Sequence, residues 1–368
     1  MDDKISKIAE YVNTEKHIVS LTKGLSEMIP FWICMCLFFM VMVHFLPYES
    51  VYLMSRIAIV IMMAAMTYAV STGIGDNSPV TGIMTVFFCL LFSWDRLSDP
   101  AMEMPVWMIT GLLMGSLQDV CHTVKWKSEW IPDGVTSYFV QILPYVLMVI
   151  AGSVLLFVGN GLFDVIRVCF TFLAGIMDSF PVVCLIVAGT CISWASGIHG
   201  AELIAVVARP FWVYMSLANF SAWSTGSALP FVTSESFYQW FIWIGGSGST
   251  LGLVLDYLLF SKVKSFAKGA LKGGIFNINE EVIFGLPIVH NKRMVVPFVG
   301  VPIILSAISY FAIAQGMVYA PVAMMPWVLP APLGALGSCF LDYRAVLLVL
   351  LNVVVSMVVY LPFAKKNK

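Results

Sequence analysis

The sequence predicts an all-α polytopic membrane protein, with about ten transmembrane helices, two re-entrant hairpin segments and amphipathic connector helices. Of its 368 residues, 60% are hydrophobic and 11% are charged, and that charged share is less than half of what a soluble domain carries. A soluble protein must wet its surface, so a chain this apolar and this long belongs in a bilayer. The net charge of -1 gives no reason to expect nucleic acid as a partner.

Ten apolar stretches come close to the roughly 20 residues that a helix needs to cross the hydrocarbon layer. They are Met28–Leu46, Val51–Gly73, Val80–Trp94, Pro105–Val120, Tyr138–Val158, Phe180–Ala195, Ala201–Leu217, Phe237–Phe260, Met294–Gly316 and Ala345–Phe363. Asp164–Asp178 is predicted to be an amphipathic connector. Ile5, Ile8, Ala9 and Val12 have helical spacing and predict a second amphipathic helix on the membrane surface. The mixed charges before the first apolar stretch do not resemble a cleavable signal peptide.

Two further segments are apolar but interrupted, and we expect each to enter and leave the membrane on one side. Gly273–Asn291 contains glycines and a proline around a polar centre, and Tyr319–Pro332 contains four prolines. Irregular backbone survives at membrane depth only where it is buried in protein or lines a wet cavity. Interrupted segments of this kind often indicate the binding site of a transporter.

Lysines indicate which side of the membrane is cytoplasmic, because positive residues concentrate in cytoplasmic loops. Two clusters stand out, namely Lys262, Lys264, Lys268 and Lys272 in one loop, and Lys365, Lys366 and Lys368 at the end. We expect both clusters on the cytoplasmic side. With an even number of spans, the N-terminus would lie there too.

Ionisable groups inside a membrane are costly, so each is a candidate for function. His199 lies between two apolar stretches and beside glycines. One interpretation is that it faces a polar cavity, where it binds a ligand or relays protons. The other is a hydrogen-bonded core histidine, and residue type alone does not decide between them. Glu280 and Glu281 are adjacent, so one must face water or have a raised pKa. Their apolar neighbours favour a site in which Glu280 accepts hydrogen bonds from substrate hydroxyls over an aqueous loop.

Other polar or reactive residues have a simpler interpretation. Gly245–Gly248 lacks the ending of a phosphate-binding loop and lies in an apolar stretch, so close packing or a kink is favoured. Glu202 and Arg209 are expected to be paired or near helix ends. The eight cysteines show no metal-ligand spacing and are expected to pack as core residues. Trp194 and Trp327 differ from the other tryptophans because each lies beside a broken segment, where an indole ring could stack on a sugar.

Several motifs, in this order, give the chain a resemblance to a known family. They include Trp194–Gly200, Gly245–Gly252, Phe276–Glu280, Val282–Val289, Val296–Phe298, Asp342–Arg344 and Tyr360–Phe363. The chain resembles the membrane-embedded IIC component of the bacterial phosphoenolpyruvate-dependent sugar phosphotransferase system, in its lactose/cellobiose (diacetylchitobiose) branch. The resemblance covers the chain from about Asp164 onward, and the earlier part matches only loosely.

The resemblance implies a homodimeric permease in the bacterial plasma membrane. Residues 1–163 would form the scaffold and dimer interface, and residues 164–368 would carry a β-linked disaccharide in an elevator-like movement. A phosphocysteine on a separate IIB protein, supplied by IIA, would phosphorylate the sugar. It further implies catalytic roles for His199 and Glu280 and substrate binding by Trp194, His199, Asn279, Glu280 and Trp327. No cofactor and no metal are expected.

Two departures from the family pattern leave alternatives open. Glu281 stands where the family usually has proline, and the N-terminal half is shorter than the resemblance leads us to expect. A proton-coupled sugar transporter, with a relay through Glu280, Glu281 and His199, is one alternative. A degenerate homologue that acts as a sensor or interaction protein is the other.

Overall fold

The structure is a computed structural model that describes residues 7, 10–123, 130, 132–261, 264–286, 288, 289 and 291–365. These residues form helices and connecting turns, and no strand occurs among them. The helices are α1 (Lys16–Glu27), α2 (Ile29–Met42), α3 (Tyr48–Ile74), α4 (Pro79–Phe92), α5 (Met104–His122), α6 (Asp133–Met177), α7 (Phe180–Ala195), α8 (Gly200–Ser224), α9 (Leu251–Phe260), α10 (Lys264–Ile275), α11 (Glu280–Gly285), α12 (Lys292–Ala314), α13 (Ala331–Ser338) and α14 (Tyr343–Lys365). The all-helical prediction is therefore confirmed for the described part of the chain.

Six helical stretches among the described residues are long and apolar enough to cross a membrane. They are Lys16–Met42, Tyr48–Ile74, Gly134–Met177, Gly200–Ser224, Lys292–Ala314 and Tyr343–Lys365. Three shorter apolar helices, α4, α7 and α9, add to them. A multi-pass membrane protein is therefore confirmed, and the count of ten spans stays a prediction.

Residues 10–173 form one compact unit, and the residues from 174 onward belong to a second. In the first unit, apolar side chains of α4, α5 and α6 pack into a common core. The buried members of that core are Phe88, Phe92, Val106, Met114, Met148 and Phe163. The helices start where the sequence favours it: α4 has proline at its first position, and the Ser78 hydroxyl accepts a hydrogen bond from the Thr81 amide.

A buried ionic network lies beside this core. Glu103 is 1% exposed and accepts hydrogen bonds from the Ser93 hydroxyl at 2.6 Å and from Arg167 Nη2 at 2.7 Å. The Trp107 indole donates to the same serine oxygen at 2.9 Å, and Arg167 Nη1 reaches Asp164 at 2.8 Å. A buried charge needs a partner and hydrogen bonds, and this network supplies both to Glu103.

The amphipathic connector predicted for Asp164–Asp178 is not a separate element. Helix α6 runs without a break for 45 residues, or about 68 Å at the rise of an α-helix. Asp164 and Arg167 lie inside it, and the arginine points to the network around Glu103. The polar residues of this stretch therefore mark a buried polar contact of a long helix and not a separate amphipathic connector.

The single span predicted for Phe237–Phe260 is also wrong, because that stretch is broken in the middle. A helical turn at Glu235–Phe237 leads into a π-helical turn at Tyr238–Ile242, and helix resumes only with α9. Between them, Gly245, Gly246 and Gly248 have φ angles of +78°, +94° and +84°. This left-handed backbone is open to glycine and interrupts the helix.

The second broken segment is held by hydrogen bonds to the end of α13 and to Asp342, just before α14. The Val322 and Ala323 amides donate to the Ser338 carbonyl at 2.8 and 3.0 Å, which pairs the extended chain with the end of α13. The Asp342 carboxylate accepts hydrogen bonds from the Tyr319 amide at 2.9 Å and from Arg344 Nε at 2.8 Å. Burial alone would raise the pKa of Asp342, but these hydrogen bonds outweigh it and hold that pKa below its usual value.

Part of the predicted N-terminal amphipathic helix lies outside the described residues, namely Ile5, Ile8 and Ala9, whereas Val12 is helical. Lys262, Lys366 and Lys368 of the two lysine clusters also lie outside them. The remaining lysines of the first cluster, Lys264, Lys268 and Lys272, are exposed along α10.

Candidate functional site

Three aromatic rings from two separate segments meet at the end of α7. The rings of Trp194 and His199 are 4.3 Å apart between centroids. The Trp194 ring also meets Phe284 of α11 edge-on, with centroids 6.4 Å apart. Trp194 is 5% exposed, whereas His199 is exposed. The Trp194 ring thus contacts both His199 and the short helix α11.

The local sequence explains why His199 stands out from the backbone at this point. Gly197 has a φ of +83°, which turns the chain out of α7. His199 then becomes the N-cap of α8, and its Nδ1 accepts a hydrogen bond from the Glu202 amide at 3.3 Å. Gly200 must be glycine because an added methyl group would lie 2.1 Å from the Thr190 carbonyl oxygen. Among the described residues, the other ring nitrogen of His199 has no hydrogen-bond partner.

Glu280 is the first residue of α11 and is exposed, as is Glu281 beside it. Phe284 follows Glu280 by one helical turn, so the two side chains share a face of α11. Because Phe284 meets Trp194, Glu280 lies one helical turn from the residue that contacts the tryptophan. Two exposed carboxylates in the first helical turn also match the positive end of the helix dipole.

Asn279 is buried, and its side chain bonds the start of α11 to the glycine-rich loop. It is 5% exposed, and its amide nitrogen donates to the Ser247 carbonyl at 2.6 Å and to the Thr250 hydroxyl at 3.0 Å. A methyl group added at Gly246 would lie 2.3 Å from the Asn279 side chain. In the structure, Asn279 therefore positions the residue beside it, and its side-chain amide is already engaged by protein.

The glycine-rich loop, Gly245–Gly248, packs closely against other parts of the protein, as the sequence predicted. The Tyr360 hydroxyl donates to the Gly248 carbonyl at 2.6 Å, and the Ser356 hydroxyl donates to the Ser249 carbonyl at 2.8 Å. A methyl group at Gly248 would lie 2.1 Å from the Phe298 ring. There is no room here to cradle a phosphate.

Trp327 is 58% exposed, and its backbone is tied to the first broken segment. The Asn277 side chain donates to the carbonyls of Trp327 at 3.2 Å and Leu329 at 3.0 Å. Its own oxygen accepts from the Gly245 amide at 3.1 Å. One asparagine thus joins both broken segments to the glycine-rich loop, while the Trp327 side chain stays exposed.

The structure thus brings Trp194, His199 and the helix that carries Glu280 together, and it places Asn279 and the Trp327 backbone next to that helix. Sequence reasoning missed Phe284, which it counted only as an apolar neighbour. It also missed Asn277, whose positive φ of +62° is a conformation that asparagine tolerates better than most residues. Within the described ranges, no three His, Cys, Asp or Glu side chains are grouped so as to hold a metal ion.

Comparisons with known proteins identify the family of this chain. The family model of the phosphotransferase system EIIC matches residues 22–302. The oligo-beta-mannoside-specific EIIC component of Bacillus subtilis (strain 168) is 30% identical over 324 residues, which are 84% of this chain and 70% of that protein. The cellobiose-specific EIIC component of Lactococcus lactis subsp. lactis (strain IL1403) is 30% identical over 295 residues, covering 69% of this chain and 59% of that protein.

The fold has a solved counterpart. The crystal structure of the transporter ChbC, the IIC component from the N,N'-diacetylchitobiose-specific phosphotransferase system, superposes with a TM-score of 0.83 at 24% identity, covering 100% of this chain and 96% of that one. Because the matched region extends over most of the chain, the resemblance noted in the sequence is confirmed: the chain belongs to the EIIC family of sugar permeases of the phosphotransferase system.

Proposed function

We propose that this chain carries a β-linked disaccharide across the bacterial plasma membrane, and that a separate IIB protein, supplied by IIA, phosphorylates the sugar. The observation that carries the proposal is the meeting of Trp194, His199 and Phe284, one turn from Glu280. A histidine and a carboxylate close together suit a sugar, because both can bind its hydroxyls, and the exposed indole ring of Trp327 can stack on its apolar face.

The proposed chemistry is the transfer of a phosphoryl group from the cysteine sulfur of IIB to a sugar hydroxyl. The hydroxyl oxygen forms a bond to phosphorus, the P–S bond breaks, and the sulfur leaves as a thiolate. The hydroxyl proton passes to Glu280 or to His199, and the other of these two groups orients the attacking oxygen through a hydrogen bond. No phosphoryl-carrying residue of this chain is needed.

The transport half of the protein is proposed to be residues 164–368, and residues 1–163 are proposed to be the scaffold of a homodimer. All five candidate site residues fall in the compact unit that begins at residue 174, which supports a carrier that moves as one body. The interruptions at Gly245–Gly248 and in the two broken segments support re-entrant hairpins, since freed backbone groups there are bonded to side chains. Cytoplasmic termini complete the proposed topology.

Sugar binding by purified protein tests the proposal. Wild-type protein in detergent should bind cellobiose or a β-mannobiose in isothermal titration, and Glu280→Gln and His199→Gln should each weaken binding by about 10- to 100-fold, as expected for a lost hydrogen bond to a charged group. Glu281→Gln is the matched control, because Glu281 is a neighbouring exposed carboxylate in the same turn. Equal losses in Glu280→Gln and Glu281→Gln would contradict the assignment of Glu280.

A transport assay separates this function from the proton-coupled alternative. Proteoliposomes with phosphorylated IIB inside should accumulate phosphorylated sugar, and an uncoupler should leave the rate unchanged. Uptake that needs no IIB and collapses with the uncoupler would instead support a proton relay.

A further inference from the structure

Asn277 makes contacts that the proposed chemistry does not use. Its side-chain nitrogen donates to the carbonyls of Trp327 at 3.2 Å and Leu329 at 3.0 Å. Its side-chain oxygen accepts from the Gly245 amide at 3.1 Å. Both hydrogens of the amide group and one of its acceptor positions are thus bonded to the backbone of other segments.

The backbone of Asn277 joins α10 to α11. The Asn277 amide donates to the Gly274 carbonyl at 3.2 Å. The Ile278 amide donates to the Gly273 carbonyl at 3.0 Å, and α11 then begins with Glu280. The φ of Asn277 is +62°, in the left-handed region that asparagine tolerates better than most residues. Asparagine therefore provides both the turn and the bridging amide at this position, whereas glycine would provide the turn alone.

The turn that contains Trp327 depends on these hydrogen bonds for its position. The Leu329 amide donates to the Pro326 carbonyl at 3.0 Å, which closes the turn around Trp327. The Trp327 side chain is exposed, so packing of its ring contributes little to holding the turn. Asn277 bonds two carbonyls of the turn, and Gln239 adds a longer contact of 3.4 Å to the Trp327 carbonyl. The position of the turn thus depends mainly on Asn277.

Asn277 therefore connects two groups that a sugar would meet from different segments. Glu280 lies three residues after Asn277 in the sequence, and the Trp327 ring extends from the turn that Asn277 holds. A ligand that contacts both groups binds more tightly when they are already ordered, because ordering them on binding costs free energy. A side chain that fixes their separation before the sugar arrives raises the affinity without touching the sugar.

We propose that Asn277 is a positioning residue, which holds the Trp327 turn at a fixed place relative to Glu280 so that one sugar contacts both. The inference rests on the proposed function, in which the Trp327 ring stacks on the sugar and Glu280 bonds its hydroxyls. Without the Asn277 amide, the indole ring would have to be ordered when the sugar binds. The loss of affinity should therefore appear only where the Trp327 ring is present.

A double-mutant cycle tests this coupling, because it separates an effect through Trp327 from general damage to the protein. The ligand is the disaccharide that the wild type binds, cellobiose or a β-mannobiose. Its affinity for purified, full-length protein is measured by isothermal titration in the wild type, Asn277→Gly, Trp327→Ala and the double variant. Glycine keeps the left-handed turn and removes only the amide. We expect Asn277→Gly to lower affinity by about tenfold or more in the wild-type background and by less than about threefold in the Trp327→Ala background.

Asn219→Ala is the matched control, because Asn219 makes the same pattern of contacts elsewhere in the same unit. Its nitrogen donates to the carbonyls of Phe231 at 2.9 Å and Pro321 at 3.0 Å, and its oxygen accepts from the Phe231 amide at 3.0 Å. None of these partners belongs to the Trp327 turn. Asn219→Ala should lower the melting temperature, and any change in affinity should be equal in the two backgrounds.

Gln239→Ala keeps the test decisive if Asn277→Gly fails to fold, because it removes the second donor to the Trp327 carbonyl from a partly exposed side chain. It should lower affinity by about threefold in the wild-type background and leave it unchanged in Trp327→Ala. Equal losses in the two backgrounds, or no loss in either, would overturn the positioning role and leave the proposed function standing. A wild type that binds neither disaccharide would overturn the proposed function and this inference with it.

Discussion

Asn279→Asp is the sharpest test of how the site is held in place. The change keeps the size and shape of the side chain and replaces its donating nitrogen with an oxygen. In the structure that nitrogen donates to the Ser247 carbonyl at 2.6 Å and to the Thr250 hydroxyl at 3.0 Å. An ionised aspartate would set oxygen against a buried carbonyl oxygen.

The cost follows from those two contacts. Each hydrogen bond contributes about 1 kcal/mol, and a buried carbonyl left without a donor costs about 1–3 kcal/mol. We therefore expect Asn279→Asp to destabilise the protein by about 3 kcal/mol or more. Because Asn279 precedes Glu280 directly, loss of sugar binding should accompany the loss of stability.

The assay is the temperature at which detergent-solubilised protein loses half of its monodisperse gel-filtration peak, measured with and without sugar. Asn291→Asp is the matched control. Asn291 accepts hydrogen bonds from the Arg293 and Met294 amides as the N-cap of α12, and aspartate caps a helix as well as asparagine does. If Asn279→Asp melts at the same temperature as Asn291→Asp, the reasoning about the Ser247 carbonyl is refuted.

Three further predictions follow from other contacts. Gly246→Ala should abolish the yield of monodisperse protein, because the new methyl group would lie 2.3 Å from a buried side chain at a φ of +94°; Gly161→Ala, with open space around it, should express normally. Glu103→Gln should cost about 3 kcal/mol in unfolding measurements, because it leaves the buried Arg167 charge with only part of its compensation, and a loss near zero would show that the network is not stabilising. The pKa of Asp342 is lower in the folded protein than in the unfolded chain, so its ionised form stabilises the fold at pH values above the unfolded pKa of about 3.9. This stability is lost as the pH falls through the folded pKa, so the melting temperature should drop below about pH 4. The drop should be smaller in Arg344→Ala, which lacks the ion-pair partner.

Sequence patterns predicted the long apolar helices well, because a membrane imposes length and hydropathy on each span. They failed at Phe237–Phe260, where hydropathy stays high although the helix stops. The glycines mark that break, but what makes it tolerable is Tyr360 and Asn279, which are distant in sequence and bond to the freed carbonyls. Hydropathy indicates whether a segment lies in lipid or in water. It does not indicate which distant side chains bond to the backbone groups of that segment.

Some residues of the candidate site could also be predicted from the sequence, and others could not. His199 and Glu280 could be identified because ionisable residues in apolar surroundings are rare and costly. Phe284 could not, since an aromatic ring in an apolar stretch has no distinguishing feature until the fold places it against Trp194. Arg209 was expected to be paired or near a helix end, and it is paired; its partner Glu235 was not identified from the sequence.

The hydrogen bonds of the glycine-rich loop also set an order of events during synthesis of the chain. The Gly248 carbonyl is bonded by Tyr360, 112 residues later, and the Ser249 carbonyl by Ser356, 107 residues later. Until α14 has emerged from the ribosome and entered the bilayer, these carbonyls have no protein donor, and each exposed polar backbone group in lipid is costly. The hydrogen bonds of the loop are therefore completed only late in biogenesis, and in a chain that stops before Ser356 both carbonyls would lack these donors.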